Sequence, residues 1–304
     1  MTKNKLSIIT PSYNTLQYLK KNILSVNNQN FKDYEHIIID GKSDDGTIEF
    51  LNNINYNIRW ISEKDNGQTH AINKGLKMSN GEIIGWLNSD DEYCPNIFSD
   101  VIKIFDSNKN IDIIHGDIFF IDEHSNIIGK SLGLDTKSYH NILTNNPINQ
   151  PGIFFRKKLV KEIGYLNEEL NYVMDREFWF RLLLNQKKFH YLSQPLAKFR
   201  LISGTKTFED NEKFRLEWIQ ILKNNIDNLK LNKQKFDEII NENYAQYFFS
   251  KANRKTTGAF NSFFYLIKSF ILSKNYRNNL GFYMIFLKNI FGIKRNRYEK
   301  FKTK

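Results

Sequence analysis

Apolar runs with the length of strands alternate with helical patterns through the first part of the chain. Four such runs span residues 6–10, 34–40, 58–62 and 82–88. Between them, residues 16–26 and 68–78 repeat their apolar side chains at helical spacing. Strands that alternate with helices indicate βαβ units and a parallel sheet. Because the second and fourth runs are almost continuously apolar, we expect an α/β fold whose mostly parallel central sheet carries helices on both faces.

The second half of the chain follows a different pattern. Residues 111–122 and 125–133 alternate apolar and polar positions and are separated by turn residues, which suggests antiparallel strands. A strand followed by a helix is predicted at 150–164, and a further helix at 175–186. From residue 209 to about 250 the pattern is helical. The expected organisation is therefore an α/β domain followed by a helical extension.

Positive charge is concentrated at the end of the chain. The net charge is +11, but residues 251–304 alone hold 13 Lys or Arg and a single acid, Glu299. The remainder is close to neutral, which argues against a nucleic-acid-binding face spread over the fold. We expect a local anionic partner for the tail and no nucleic acid.

The single cysteine, Cys94, excludes a disulfide within the chain and is consistent with a reducing compartment. The sequence contains no uninterrupted apolar run of about 18 residues and no secretory signal pattern. We therefore expect neither a membrane-spanning helix nor secretion.

Polar and acidic residues follow each of the first four predicted strands, in the segments TPSYN, DGKSDDGT, SEKDNGQ and NSDD. The carboxyl ends of parallel strands meet at one edge of a sheet, where ligands of open α/β folds bind. The fourth segment ends in adjacent carboxylates, Asp90 and Asp91, which repel each other unless solvent or a cation intervenes. A metal-assisted site is the sharper interpretation, and a solvated turn is the alternative.

These motifs, in this order, resemble those of family 2 glycosyltransferases, which are inverting enzymes of the GT-A fold. The segment NQPGIFFRKKLVKEIGYLNEELNYVMDREFWFRL resembles the acceptor half of the same family. The resemblance implies a GT-A domain at 1–207, with a nucleotide-sugar half at about 1–95 and an acceptor half at about 96–207. Residues 208–304 would form a helical extension with a basic amphipathic tail.

The resemblance also implies which residues bind the donor, a nucleoside diphosphate sugar that we expect to be a UDP-sugar. Asp91 is the first candidate ligand for Mn²⁺ or Mg²⁺, and Asp90 shares the metal shell or contacts the ribose. Tyr13 would stack on the base, Asp40 would contact the base or ribose, and Lys74 would reach a phosphate or remain solvated. The full set of expected donor-binding residues is Pro11, Tyr13, Asn14, Asp40, Asp65, Lys74, Asn88, Asp90 and Arg200.

Chemistry of this kind needs a base for the acceptor hydroxyl, and the resemblance assigns that role to Asp175 in VMDREFWFRL. Capping of the helix that begins there is the alternative role for this carboxylate, and the two are compatible. Trp179 is expected to pack in the core. Gln150, in NQPG, is expected to shape the acceptor side.

Two positions depart from the family pattern. Asn88 stands where an aspartate is common, and Ile202 stands where a histidine is common. Both departures reduce the number of protein groups that could hold the metal. Arg200, Ser203 and Lys206 could still neutralise phosphate.

The tail mixes aromatic and basic residues, and its apolar runs at 263–267 and 280–287 are short. Interfacial helices on an anionic membrane would fit this composition, and helices packed on the domain are the alternative. We expect a cytoplasmic enzyme, peripheral on the inner face of the cell membrane, acting on a glycan or lipid-linked glycan such as lipopolysaccharide or capsule.

Other functions remain to be weighed. A dehydrogenase would need G-x-G-x-x-G after the first strand, and a nucleotidyltransferase would need a glycine-rich loop at the same place. The segment TPSYN matches neither pattern. A nucleotide-sugar-binding module without turnover stays open as a non-enzymatic alternative.

Overall fold

The computed structural model describes residues 4–133, 139–146, 148–202, 211–253, 257–278 and 282. The expectations for Ser203, Lys206 and residues 283–304 lie outside this set. The chain divides into two compact units. The first comprises Met1–Ile142 and Asn146–Leu201, and the second Leu143–Asn145 and Ile202–Lys304.

Nine strands among the described residues form one mixed sheet in the first unit. They are β1 (Leu6–Ser12), β2 (Tyr34–Asp40), β3 (Ile58–Ser62), β4 (Ile83–Trp86), β5 (Glu92–Tyr93), β6 (Ile113–Ile121), β7 (Ile127–Ser131), β8 (Ile153–Arg156) and β9 (Phe189–Arg200). Their order is β3-β2-β1-β4-β8-β6-β9-β5, with β7 paired to β6. Strands β1 to β4 are parallel, β8 is antiparallel to β4 and β6, and β6 and β7 form the predicted antiparallel pair.

Helices cover both faces of this sheet, as predicted. They are α1 (Leu16–Asn27), α2 (Thr47–Asn53), α3 (Gln68–Met78), α4 (Ile97–Ser107), α5 (Tyr139–Thr144), α6 (Lys158–Ile163) and α7 (Met174–Leu184). Successive side chains of a strand point to opposite faces. In β1, Ile8 therefore belongs to the buried cluster of Val26 and Phe98, from α1 and α4, whereas Ile9 belongs to that of Leu76, from α3.

The sequence pattern missed α4 and β9. Helix α4 buries Ile97, Phe98, Val101 and Phe105 at helical spacing, so its signal was present. Strand β9 contains Pro195, near which its register with β6 shifts. Because proline cannot donate to a ladder, it makes a strand hard to recognise from the sequence.

The second unit is helical, as predicted for the extension. Its helices among the described residues are α8 (Asn211–Asn224), α9 (Lys233–Ala252), α10 (Ala259–Leu272) and α11 (Lys274–Arg277). Helix α10 packs on α9, where Ser269 donates a hydrogen bond to the Ala245 carbonyl and the Phe248 and Tyr265 rings stack. The beginning of the tail is therefore packed within its own unit.

Helices among the described residues are too short or too polar to cross a bilayer.

Candidate active site

The four loops predicted to converge do meet at one edge of the sheet. Strands β1 to β4 are parallel, and Ser12, Asp40 and Ser62, at the ends of β1, β2 and β3, are register partners. The loop after β4 opens at the same edge, because Ile9 pairs with Trp86.

Asp40 organises three of these loops from a fully buried position. Its carboxylate accepts hydrogen bonds from the Ser43 amide and hydroxyl, at 2.9 and 2.5 Å, and from the Ser62 hydroxyl at 2.6 Å. The Ser43 hydroxyl in turn accepts a hydrogen bond from the Asn14 amide at 2.9 Å. Asn14 adopts a left-handed conformation with φ 51°, and its side chain accepts from the Asp44 amide. Direct contact of Asp40 or Asn14 with a nucleotide stays a prediction.

An exposed aromatic ring lies at this edge. The Tyr13 side chain is 64% exposed. A Cβ atom on Gly41 would lie 3.2 Å from Tyr13 Cδ2 and 3.0 Å from Asp65 Oδ2, so glycine allows both side chains to pack closely against the loop after β2. Pro11 is buried within β1 and shapes the strand end. The exposed Tyr13 ring is available for stacking on a planar group.

Asp45 has a structural role. Its carboxylate accepts hydrogen bonds from the Leu16 amide at the start of α1 and from Thr47 at the start of α2. Lys74 forms an ion pair of 2.7 Å with Glu63 in the loop after β3, so its ammonium is already paired in this arrangement. Whether it reaches a phosphate stays a prediction.

The acidic segment after β4 is a tight turn held from α1. The Asp91 amide donates to the Asn88 carbonyl at 3.0 Å. The fully buried Asn22 donates to the carbonyls of both Asn88 and Asp91, at 2.8 and 3.1 Å. The Thr15 hydroxyl also donates to Ser89. Asn22 was missed from the sequence, although a polar residue between Leu19 and Ile23 on an apolar helix face was a visible signal.

The Asp91 carboxylate is 1% exposed and only partly satisfied by protein. Its Oδ1 accepts a hydrogen bond from the Arg200 amide at 2.9 Å, whereas Oδ2 has no hydrogen-bond partner among the described residues. Burial and repulsion from Asp90 raise the pKa of Asp91 well above its ordinary value, and burial also raises the pKa of Asp90. The nearby Arg200 charge only partly offsets these effects, and neither carboxylate forms a salt bridge among the described residues. Carboxylate oxygens are the ligands that Mn²⁺ and Mg²⁺ prefer.

The pair therefore fits a divalent cation, which would draw its other ligands from substrate or water. Among the described residues, no group of three or more His, Cys, Asp or Glu is placed to hold a metal. Magnesium in particular is commonly bound through one or two carboxylates together with substrate phosphates.

Arg200 lies against the acidic turn, at the end of β9. Its side chain is fully buried. The guanidinium donates to the carbonyls of Asp90 and Asp122, at 2.8 and 2.6 Å, and to the Glu92 carboxylate at 2.5 Å. These donors are directed at protein acceptors and fix the acidic turn. Contact of Arg200 with a phosphate of the donor stays a prediction.

Glu92 supplies the negative partner for this arginine. Burial alone would raise the pKa of Glu92, but the hydrogen bond from Ser125 and the charges of Lys198 and Arg200 lower it below the ordinary value. Arg200 thus pairs with Glu92, and its charge also lowers the pKa of Asp90 and Asp91 without outweighing the effect of burial.

Asp175 lies in the first turn of α7 and does not cap it. The N-cap is Val173, and the helix begins at Met174. The preceding loop is fixed to α3, where the buried Asn73 exchanges two hydrogen bonds with the Leu166 backbone. Burial raises the pKa of Asp175 above its ordinary value. Trp179 is fully buried, as expected.

The comparisons with known proteins agree with this geometry. The model of the family Glycosyl transferase family 2 matches residues 7–164. An uncharacterized glycosyltransferase of Methanocaldococcus jannaschii, MJ1057, is 28% identical over 212 residues, which cover 66% of this chain and 72% of MJ1057. The minor teichoic acid biosynthesis protein GgaB of Bacillus subtilis is 28% identical over 248 residues, which cover 75% of this chain and 27% of GgaB.

Solved structures share the fold. Residues 1–349 of S. aureus TarS, in complex with UDP-GlcNAc, superpose with a TM-score of 0.66 at 19% identity, covering 95% of this chain and 89% of that one. The mannosyltransferase PcManGT of Pyrobaculum calidifontis, in complex with GDP-Man and Mn²⁺, gives 0.60 at 11% identity, with coverages of 99% and 84%. The predicted GT-A fold is confirmed.

Replacing Asn22 by alanine should destabilise the acidic turn. The change removes two hydrogen bonds and leaves the buried Asp91 carbonyl without its side-chain donor. We expect the free energy of unfolding to fall by about 1–3 kcal/mol, measured by urea denaturation. Asn27→Ala, at a partly exposed position of the same helix, is the matched control. An equal loss in both variants would contradict the role given to Asn22.

Proposed function

Since the chain belongs to glycosyl transferase family 2 and is a transferase that moves a sugar from a nucleotide sugar, we propose that its donor is a UDP-sugar and its acceptor a surface glycan. The choice of UDP is supported by the likeness to TarS, which was solved with UDP-GlcNAc. The acceptor class is supported by the likeness to GgaB, named for teichoic acid biosynthesis. A lipid-linked glycan, as in lipopolysaccharide or capsule assembly, is the other acceptor of this class.

One observation carries the proposal for the donor. Asp91 presents a buried carboxylate oxygen with no hydrogen-bond partner among the described residues, at the edge of the sheet that also carries the exposed Tyr13 ring. On this proposal Asp91 and Asp90 hold Mn²⁺ or Mg²⁺, and the base stacks on Tyr13 beside Asp65. The bound cation would neutralise the negative charge that gathers on the diphosphate as it leaves.

Asp175 is proposed as the catalytic base of a single displacement with inversion. The acceptor oxygen bonds to the anomeric carbon while the bond to the diphosphate breaks, and Asp175 accepts the hydroxyl proton. A carboxylate whose pKa is raised by burial is a stronger base than one in water, which favours this transfer.

The assignment of functions to the two parts of the chain is also a proposal. Residues 1–207 would carry the reaction, with donor contacts up to about residue 95 and acceptor contacts beyond it. Residues 208–304 would serve as the helical extension.

We propose that this extension attaches the enzyme to the anionic inner face of the cell membrane. Helix α10 exposes Phe260, Phe264 and Ile271, at 83%, 48% and 64%, and Lys268 lies over the Phe264 ring. Exposed aromatic and aliphatic side chains beside lysines suit insertion among anionic headgroups.

Nucleotides should raise the melting temperature in a metal-dependent way. Among UDP, GDP, dTDP and CMP, each with and without Mn²⁺, we expect UDP with Mn²⁺ to give the largest shift. A ligand at about 100 times its Kd adds about 2.7 kcal/mol of stability. Asp91→Asn should remove the Mn²⁺-dependent part, whereas Asp100→Asn, on the exposed side of α4, should retain it. No shift with any nucleotide, or an unchanged Mn²⁺ dependence in Asp91→Asn, would refute the donor site.

Asp175→Asn should lower turnover by at least about 10³-fold while UDP binding stays within a few-fold. In the unmodified enzyme kcat should fall as the pH drops through the raised pKa of Asp175, because only the ionised carboxylate accepts a proton. The acid limb should therefore lie above the ordinary value of 3.8.

The exposed Glu169, replaced by glutamine, is the control for these rates and should keep both turnover and the acid limb. Loss of UDP binding in Asp175→Asn would assign Asp175 to the donor site instead. Retained turnover would remove it from the reaction.

Changing Phe260, Phe264 and Ile271 together to serine should weaken cosedimentation with vesicles that contain phosphatidylglycerol by at least about tenfold. Deleting the whole tail is a poorer test, because Leu266 of α10 is fully buried and its removal would also disrupt packing within the second unit. The control changes the exposed Leu24 and Ile127 of the first unit to serine. Equal binding by both variants, or equal binding to neutral vesicles, would exclude attachment to an anionic membrane through the exposed side of α10.

A further inference from the structure

Three amide and indole groups surround the side chain of Asn88 at the end of β4. Its Oδ1 accepts hydrogen bonds from Gln68 Nε2 and from Trp86 Nε1, both at 2.9 Å. Its Nδ2 donates to Gln150 Oε1 at 3.1 Å. Gln150 Nε2 in turn donates to the Trp86 carbonyl at 2.9 Å. Gln150 lies on the 3-10 turn that precedes β8, in the other half of the sheet.

Trp86 fixes the orientation of both amides. An indole N–H can only donate, so the Asn88 atom facing it must be the oxygen. A backbone carbonyl can only accept, so the Gln150 atom facing it must be the nitrogen. The remaining contact must therefore run from Asn88 Nδ2 to Gln150 Oε1.

This orientation discriminates between asparagine and aspartate at position 88. An aspartate would still accept from Gln68 and Trp86, but its second oxygen would face Gln150 Oε1, and two acceptors repel. Rotating the Gln150 amide would only move the conflict to the Trp86 carbonyl. Because both side chains are partly buried, leaving the two oxygens opposed would cost stability.

We propose that Gln150 is a positioning residue that restricts position 88 to an uncharged amide and so limits the acidic turn after β4 to two carboxylates, Asp90 and Asp91. Residue 88 belongs to the same turn as Asp91, through the hydrogen bond between their backbones. A third carboxylate in that turn would add negative charge where the diphosphate binds, a consequence that rests on the proposed function. An amide at position 88 keeps that charge away from the diphosphate.

A double-mutant cycle tests this coupling without any substrate. Asn88→Asp should lower the melting temperature at pH 8 by about 5 °C. In a Gln150→Met background, which removes the opposing oxygen, the same change should cost less than half as much. Gln68→Met is the matched control: it removes a donor that an aspartate would still use, so Asn88→Asp should cost at least as much there.

An equal cost of Asn88→Asp in all three backgrounds would overturn the proposal, as would relief in the Gln68→Met background alone. If Asn88→Asp fails to fold, recovery of folding by Gln150→Met and not by Gln68→Met gives the same answer.

A second measurement, the affinity for Mn²⁺, reports the charge at the site. A role of Gln150 in packing alone would not change this affinity. Free Mn²⁺, followed by its electron paramagnetic resonance signal, should bind about tenfold more tightly to the Asn88→Asp, Gln150→Met double variant than to Gln150→Met. Unchanged Mn²⁺ affinity would contradict the effect on site charge. The double-mutant cycle could show coupling between Asn88 and Gln150 while the parent enzyme binds no nucleotide. That result would support the role of Gln150 and refute the proposed function instead.

Discussion

The structure of the site depends on the cost of burying Asp91. A carboxylate removed from water must be paired or hydrogen-bonded, and here one oxygen accepts the Arg200 amide while the other has no partner among the described residues. The Arg200 side chain could have neutralised the acid but is directed to Glu92. The fold thus supports Asp91 with a backbone dipole and keeps its charge available for a cation.

That support comes from distant parts of the chain. Strand β9 returns from the second half of the domain to pair with β5, immediately after the acidic turn, and brings Arg200 against it. Asn22 holds the same turn from α1, and Gln150 holds Asn88 from the turn before β8. The turn is therefore specified by residues that lie far from it in sequence.

The sequence predicted most elements that depend on local pattern, with α4 as the exception, and missed β9, which depends on long-range pairing. The parallel strands and their convergent loops followed from apolar periodicity, whereas β9 was hidden by Pro195 and its bulged pairing with β6. Asp175 was expected in the right helix, but Val173 caps that helix. The acceptors of Arg200, Glu92 and two carbonyls, could be identified only in the folded chain.

The anchors of Asp91 and Asp175, the two acids proposed for the reaction, lie on opposite faces of one sheet. The turn of Asp91 is tied to α1, and the loop before Asp175 is tied to α3 through Asn73. Each carboxylate is therefore held by a helix that packs directly on the sheet, and the distance between the two depends on the sheet and not on the length of the connecting loops. The fold that provides this support is shared with TarS at 19% identity.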